Sequence, residues 1–181
     1  MKLNLPNKLT LMRVILVPFF VLAFLEKWYV VALILFAVAS ITDFLDGHIA
    51  RKNNLVTNFG KFLDPLADKI LVASALACFV DVKLIGCVPL IIIISREFMV
   101  SGLRLIAVGE GVVIPAGMAG KLKTAFTMVS IVYILVYCIC GFSSGSVAYV
   151  VMQVLVWISV ILTIYSGAEY LKNGWKYIKE E

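Results

Sequence analysis

Residues 29–50 read YVVALILFAVASITDFLDGHIA, and this stretch decides the class of protein. From Tyr29 to Thr42 no side chain is charged, and the run then closes on two carboxylates, Asp43 and Asp46. As an α-helix such a segment rises about 33 Å, enough to cross the hydrocarbon core of a bilayer. A chain in lipid must satisfy its own backbone, which a helix does and a lone strand does not. Ionisable side chains at the end of such a run are costly, and for that reason they are functional candidates.

Working outward, further apolar stretches of spanning length fall near 9–25, 62–80, 84–103, 122–141 and 147–168, making six with 29–50. Across 181 residues, 62% are hydrophobic and 15% charged, with a mean hydropathy of +1.04. One soluble core of this size cannot bury that much apolar surface. The expected fold is all-α: an integral membrane bundle of six transmembrane helices, forming a single domain over residues 1–181. Of the 16 Lys and Arg residues, only Lys27 and Lys83 fall on one side of the six spans. The side that holds the rest is cytoplasmic by the positive-inside rule, and both termini lie there. Met1–Lys8, with Leu3, Leu5 and Pro6, could form a short interfacial helix before the first span. The first apolar run continues past signal-peptide length without a clear small-x-small cleavage site, and reads as a retained span.

A net charge of +5 and a pI of about 9.0 point, in a membrane protein, to anionic headgroups or substrates. The basic residues lack the aromatic interleaving of a single-strand binder, so nucleic acid is not an expected partner. Cys78, Cys87, Cys138 and Cys140 form no C-x-x-C pair and read as small apolar side chains.

The chemistry concentrates where the second apolar run ends and the third begins. Asp43 and Asp46 lie three residues apart, and Asp64 and Asp68 four, so each pair shares a helical face. A short connector makes the two helices antiparallel neighbours. Four carboxylates at one depth repel unless protonated or neutralised by cations. All-oxygen ligation suits magnesium, manganese or calcium, whereas zinc usually recruits His or Cys. Two such ions would clamp a phosphoryl centre and acidify an attacking hydroxyl, whose proton a carboxylate at the edge could take. Gly47, Ala50 and Gly60 keep the surroundings small, and Arg51 can engage a phosphate in bidentate fashion. Pro65 places the start of the third helix near Asp64. Ordinary salt bridges to Arg51, Lys52, Lys61 and Lys69, or the ion site of a transporter, are the competing readings.

The run from Asp43 to Asp68 reads D-x-x-D-G-x-x-A-R-x8-G-x3-D-x3-D, through Asp43, Asp46, Gly47, Ala50, Arg51, Gly60, Asp64 and Asp68. In this the chain resembles the CDP-alcohol phosphotransferase family at every defined position, and six spans with cytoplasmic ends extend the likeness over nearly the whole length. The resemblance implies that Asp43, Asp46, Asp64 and Asp68 bind two divalent cations, Mg2+ or Mn2+, that engage the donor pyrophosphate. It implies Asp68 as the catalytic base for the acceptor hydroxyl. Asn7, Thr10, Asp43, Gly47, Arg51 and Gly60 would line the CDP pocket, and the enzyme would be a homodimer. His48, the single histidine, falls at an undefined position of the pattern.

The acceptor has to come from outside that pattern. Asn4-Leu5-Pro6-Asn7-Lys8-Leu9-Thr10-x-x-Arg13, Ser95-Arg96-Glu97, Ser101-Gly102-Leu103-Arg104 and Gly120-Lys121-x-Lys123-Thr124 look like the phosphatidylglycerophosphate-forming branch of the family. That implies CDP-diacylglycerol as donor and sn-glycerol 3-phosphate as acceptor, at the cytoplasmic leaflet of the cell membrane. Arg96, Arg104, Lys121 and Lys123 would bind the acceptor phosphate, a role serine or choline would not need. The same basic residues suit inositol phosphate, and cardiolipin-forming members take phosphatidylglycerol. The positive-inside rule alone also accounts for Arg104, Lys121 and Lys123.

Overall fold

Six α-helices make up the described residues, with no strand among them: α1 (Leu5–Leu25), α2 (Tyr29–Lys52), α3 (Asn58–Asp81), α4 (Cys87–Gly109), α5 (Met118–Cys140) and α6 (Val147–Gly174). This computed structural model describes the backbone of residues 5–52, 58–109 and 117–174, and the side chains of 10–42, 66–67, 69–107 and 117–172. Helix α5 and the Val147–Lys172 part of α6 are long and apolar enough to cross a membrane, and Thr10–Leu25 and Tyr29–Thr42 are shorter apolar stretches. The outer faces agree with that character. Ile15, Phe19 and Leu22 on α1 are exposed, as are Val150, Val154, Trp157 and Ile161 on α6. These spacings of three and four residues trace a single face, where a helix in water would carry polar groups. Apolar exposure on this scale suits lipid.

The helix bounds depart from expectation in three places. Leu5–Lys8 is the first turn of α1, continuous with it, so the described part of the amino-terminal segment is no separate interfacial helix. Helix α3 begins at Asn58, well before Pro65. A proline inside a helix removes one ladder donor and crowds the carbonyl four residues back. That is a local penalty, which a helix this long tolerates without starting afresh. Helix α4 runs on to Gly109, taking Arg104 into regular structure rather than a connector.

The chain divides into two compact units, Met1–Val82 with Leu135–Gly141, and Lys83–Ile134 with Phe142–Glu181. In the first unit, α1 packs against both α2 and α3, and α2 touches α3. The core is aromatic: Phe20 and Phe24 of α1 meet Phe36 of α2 at 5.9 Å and Phe79 of α3 at 5.4 Å between ring centroids, respectively. Tyr29 adds an edge-on ring 5.3 Å from Phe24. The turn from α1 to α2 is closed by backbone bonds from Lys27 N–H to Phe24 O and from Trp28 N–H to Ala23 O. This paired pattern ends helices with one left-handed residue, usually glycine. Here it is Lys27, at φ 62°.

In the second unit, α4 packs against α6. Its interior is more polar. Ser130 of α5 and Ser159 of α6 share a buried hydrogen bond of 3.0 Å, and Thr127 and Thr163 bond the carbonyls four residues back. Ser146 caps α6, its hydroxyl accepting from Tyr149 N–H at 3.2 Å.

Candidate active site

The acidic pattern lies on the first unit. Asp43, Asp46, Gly47, Ala50 and Arg51 occupy the C-terminal part of α2, and Gly60, Asp64 and Asp68 the N-terminal part of α3. Residues 53–57 are all that separates these helices, which also touch, so the two segments share one end of the unit. The helix is continuous through each pair, so spacings of three and four leave each pair on one face, as expected. Asn7, Asp43, Asp46, Gly47, Arg51, Gly60, Asp64 and Asp68 themselves lie outside the residues whose side chains are described.

Arg13 ties α1 into that end. It is fully buried, and its Nε–H donates to the carbonyl of Ala39 on α2 at 3.2 Å. A buried guanidinium is costly without such partners, and an α2 carbonyl one turn before Asp43 is one of them. The contact also sets a register. Helices α1 and α2 run antiparallel through a tight turn, so stepping back from Arg13 follows stepping forward from Ala39, at about 1.5 Å per residue in each. Thr10, buried on the same face of α1 as Arg13, and then Asn7 therefore fall at about the level of Asp43 and Asp46. The backbone thus brings Asn7 and Thr10 level with the first acidic pair.

The basic residues lie on the second unit and separate into distinct environments. Lys123 of α5 is only 4% exposed at its side chain and pairs with Glu97 of α4. Glu97 also receives a hydrogen bond from Arg96 Nη1 at 3.1 Å. Lys121, two residues from Lys123 and so on a different face of α5, is exposed. Arg104, one helical turn pair beyond Arg96 on α4, donates from Nη2 to the Tyr170 hydroxyl of α6 at 2.5 Å. The guanidinium carbons of Arg96 and Arg104 each stand 5.3 Å from the centre of the Tyr170 ring.

Small residues make room for Arg96. A Cβ at Gly167 of α6 would meet Arg96 Cγ at 3.3 Å, and one at Gly120 of α5 would meet Arg96 Nη2 at 3.4 Å. The small-residue run Gly117–Gly120 thus admits a side chain from another helix at Gly120. Glu97 pairs with both Arg96 and Lys123, whereas Arg104 bonds the neutral Tyr170 hydroxyl.

Of these four basic residues, then, Arg96 and Arg104 share one ring, Arg96 and Lys123 share Glu97, and Lys121 is exposed. Three participants escaped the sequence reading. Arg13 carried the signal of a charge within an apolar run. Glu97 stands in the sequence only as the neighbour of Arg96. Tyr170 carried no signal, since a tyrosine late in an apolar helix reads as an interfacial anchor.

Comparison with known proteins places these features in context. The profile of the CDP-alcohol phosphatidyltransferase family matches residues 3–165. The CDP-diacylglycerol–glycerol-3-phosphate 3-phosphatidyltransferase of Bacillus subtilis is 41% identical, over 97% of this chain and 97% of its own. Enzymes of the same name from Rickettsia felis and Haemophilus influenzae are each 38% identical, over 96% and 95% of this chain and 97% and 94% of theirs.

Proposed function

The chain belongs to the CDP-alcohol phosphatidyltransferase family, and on that premise we propose that it transfers the phosphatidyl group of CDP-diacylglycerol to sn-glycerol 3-phosphate, releasing CMP. The observation that carries this reading is the acidic pattern: eight defined positions on two adjoining helices. Relatives matched over nearly their full length are named for this reaction. We read the whole chain as one catalytic domain of six spans in the cell membrane, working at the cytoplasmic leaflet, and as a homodimer.

The donor set fits hard divalent ions, being four carboxylates with no thiol or imidazole at a defined position of the pattern. Asp43, Asp46, Asp64 and Asp68 would hold two, magnesium or manganese. When bound, these ions supply charge neutralisation at the pyrophosphate and acidify the attacking hydroxyl. Asn7, Thr10, Gly47, Arg51 and Gly60 orient the CDP head, with Arg51 on a phosphate. Asp68 accepts the proton of the acceptor hydroxyl as its oxygen forms a bond to the lipid-side phosphorus. The bond from that phosphorus to the CMP oxygen breaks, and CMP leaves with the electron pair. Arg96 and Arg104 hold the acceptor by its phosphate, with Lys121 and Lys123 adding positive potential.

The test is CMP release by detergent-purified protein given CDP-diacylglycerol, with and without magnesium. We expect metal-dependent release with glycerol 3-phosphate. Release only with inositol phosphate, serine or phosphatidylglycerol would move the acceptor, and no release from folded protein would favour an ion-coupled transporter.

A further inference from the structure

Two arginines that must capture a dianion have to be held in place without being neutralised. Glu97, which pairs with Arg96, is shared with Lys123, and a further carboxylate between the two arginines would cancel the charge the substrate needs. Tyr170 offers the alternative: a neutral ring whose π face attracts cations, and a hydroxyl that takes a hydrogen bond from one of them. It is buried on α6, both guanidinium carbons stand 5.3 Å from its centre, and its hydroxyl accepts from Arg104 Nη2 at 2.5 Å.

Arg96 supplies the second observation. Its side chain is 10% exposed, and its Nε is buried with no hydrogen-bond partner. Nη1 is engaged by Glu97, which pairs with Lys123 as well. A buried charged donor left without an acceptor is costly, and a ligand oxygen removes that cost. Arg104 bonds a neutral hydroxyl and keeps its charge. Guanidinium forks of this kind match the oxygens of a phosphate monoester, whose two negative charges they attract.

We propose that Tyr170 is a positioning residue that holds Arg96 and Arg104 as one phosphate-capturing pair and so makes the acceptor pocket selective for a phosphate monoester dianion. The proposal rests on the reading that the acceptor phosphate binds these arginines. Tyr170 touches no reacting atom. It acts through the two guanidinium groups, with the Glu97–Lys123 pair bracing Arg96 from α5.

Three variants of the full chain, purified in detergent, test it: Tyr170→Phe, Tyr170→Leu and Arg96→Gln. The readouts are KM for glycerol 3-phosphate, KM for CDP-diacylglycerol, and inhibition by inorganic phosphate. Tyr170→Phe keeps the ring and loses the bond to Arg104, and should raise the acceptor KM about threefold. Tyr170→Leu loses both and should raise it about tenfold or more. The phosphate inhibition constant should rise in parallel, and the donor KM should stay within about twofold. Parallel changes in both substrates' KM, or no change in either Tyr170 variant, would overturn the proposal. If Arg96→Gln raises the acceptor KM and the tyrosine variants do not, the positioning role alone fails. If Arg96→Gln also leaves it unchanged, the reading of the pocket beneath it fails. Should Tyr170→Leu not fold, the milder Tyr170→Phe still decides the matter.

Discussion

The two units solve opposite problems. The first surrounds an aromatic core, Phe20, Phe24, Phe36 and Phe79, with helices whose acidic residues recur at helical spacing along two neighbouring segments. The second keeps polar groups inside: Lys123 with Glu97, Arg96 and Arg104 with Tyr170, Ser130 with Ser159. In the second unit, Glu97 is shared by Arg96 and Lys123. On the proposed function, the first would be the donor and metal side of a phosphatidyl transfer, and the second the side that recognises the acceptor.

The largest effect expected is at Asp68. Replacing it by Asn removes the proposed base and one metal carboxylate, and turnover should fall by about 10³-fold or more with the fold retained. CMP release and a thermal melt of the same preparation check both halves of that statement. Near-normal turnover would strip the first unit of its catalytic residue.

Glu97→Leu probes the second unit. It leaves Lys123 buried without its counter-charge, a situation that typically costs about 3–5 kcal/mol, so the melting temperature in detergent should drop sharply. Adding Lys123→Leu should restore much of the loss, because a buried pair replaced by apolar side chains is often neutral. An Asp68→Asn variant should show no comparable melting defect. If Glu97→Leu is as stable as the parent, the charge network is peripheral and the contrast between the units collapses.

The smallest effect concerns a device the units share. Lys27 in the first and Lys83 at the start of the second both hold left-handed backbone, at φ 62° and 59°. A side chain there costs about 1 kcal/mol relative to glycine. Lys27→Gly and Lys83→Gly should each raise the melting temperature slightly, and a fall in either would mean the lysine side chain contributes more than its backbone costs.

The same contrast explains what was legible beforehand. The acidic pattern is written in local spacing: Asp43 and Asp46, then Asp64 and Asp68, recur at intervals that any helix converts into shared faces. Six helices were legible too, because long uncharged runs leave few alternatives in lipid. Helix ends were less so. Pro65 signals a boundary only if the penalty it imposes outweighs the rest of α3, which it does not. The second unit resisted reading for a different reason. Arg104 and Tyr170 are 66 residues apart, and Glu97 and Lys123 are 26 apart. No spacing rule links them, and only packing among α4, α5 and α6 brings them together. Four basic residues that looked equivalent in the sequence thereby fall in different surroundings: Arg96 and Arg104 on a ring, Arg96 and Lys123 paired with Glu97, and Lys121 exposed.

The division of labour between the units is the central claim, and one kinetic measurement tests it most directly: both Michaelis constants in Arg51→Ala and in Arg96→Gln, side by side. The account predicts a crossed pattern, with Arg51→Ala raising the constant for CDP-diacylglycerol and Arg96→Gln raising that for glycerol 3-phosphate, each by about tenfold. A result in which both variants shift the same constant would contradict it.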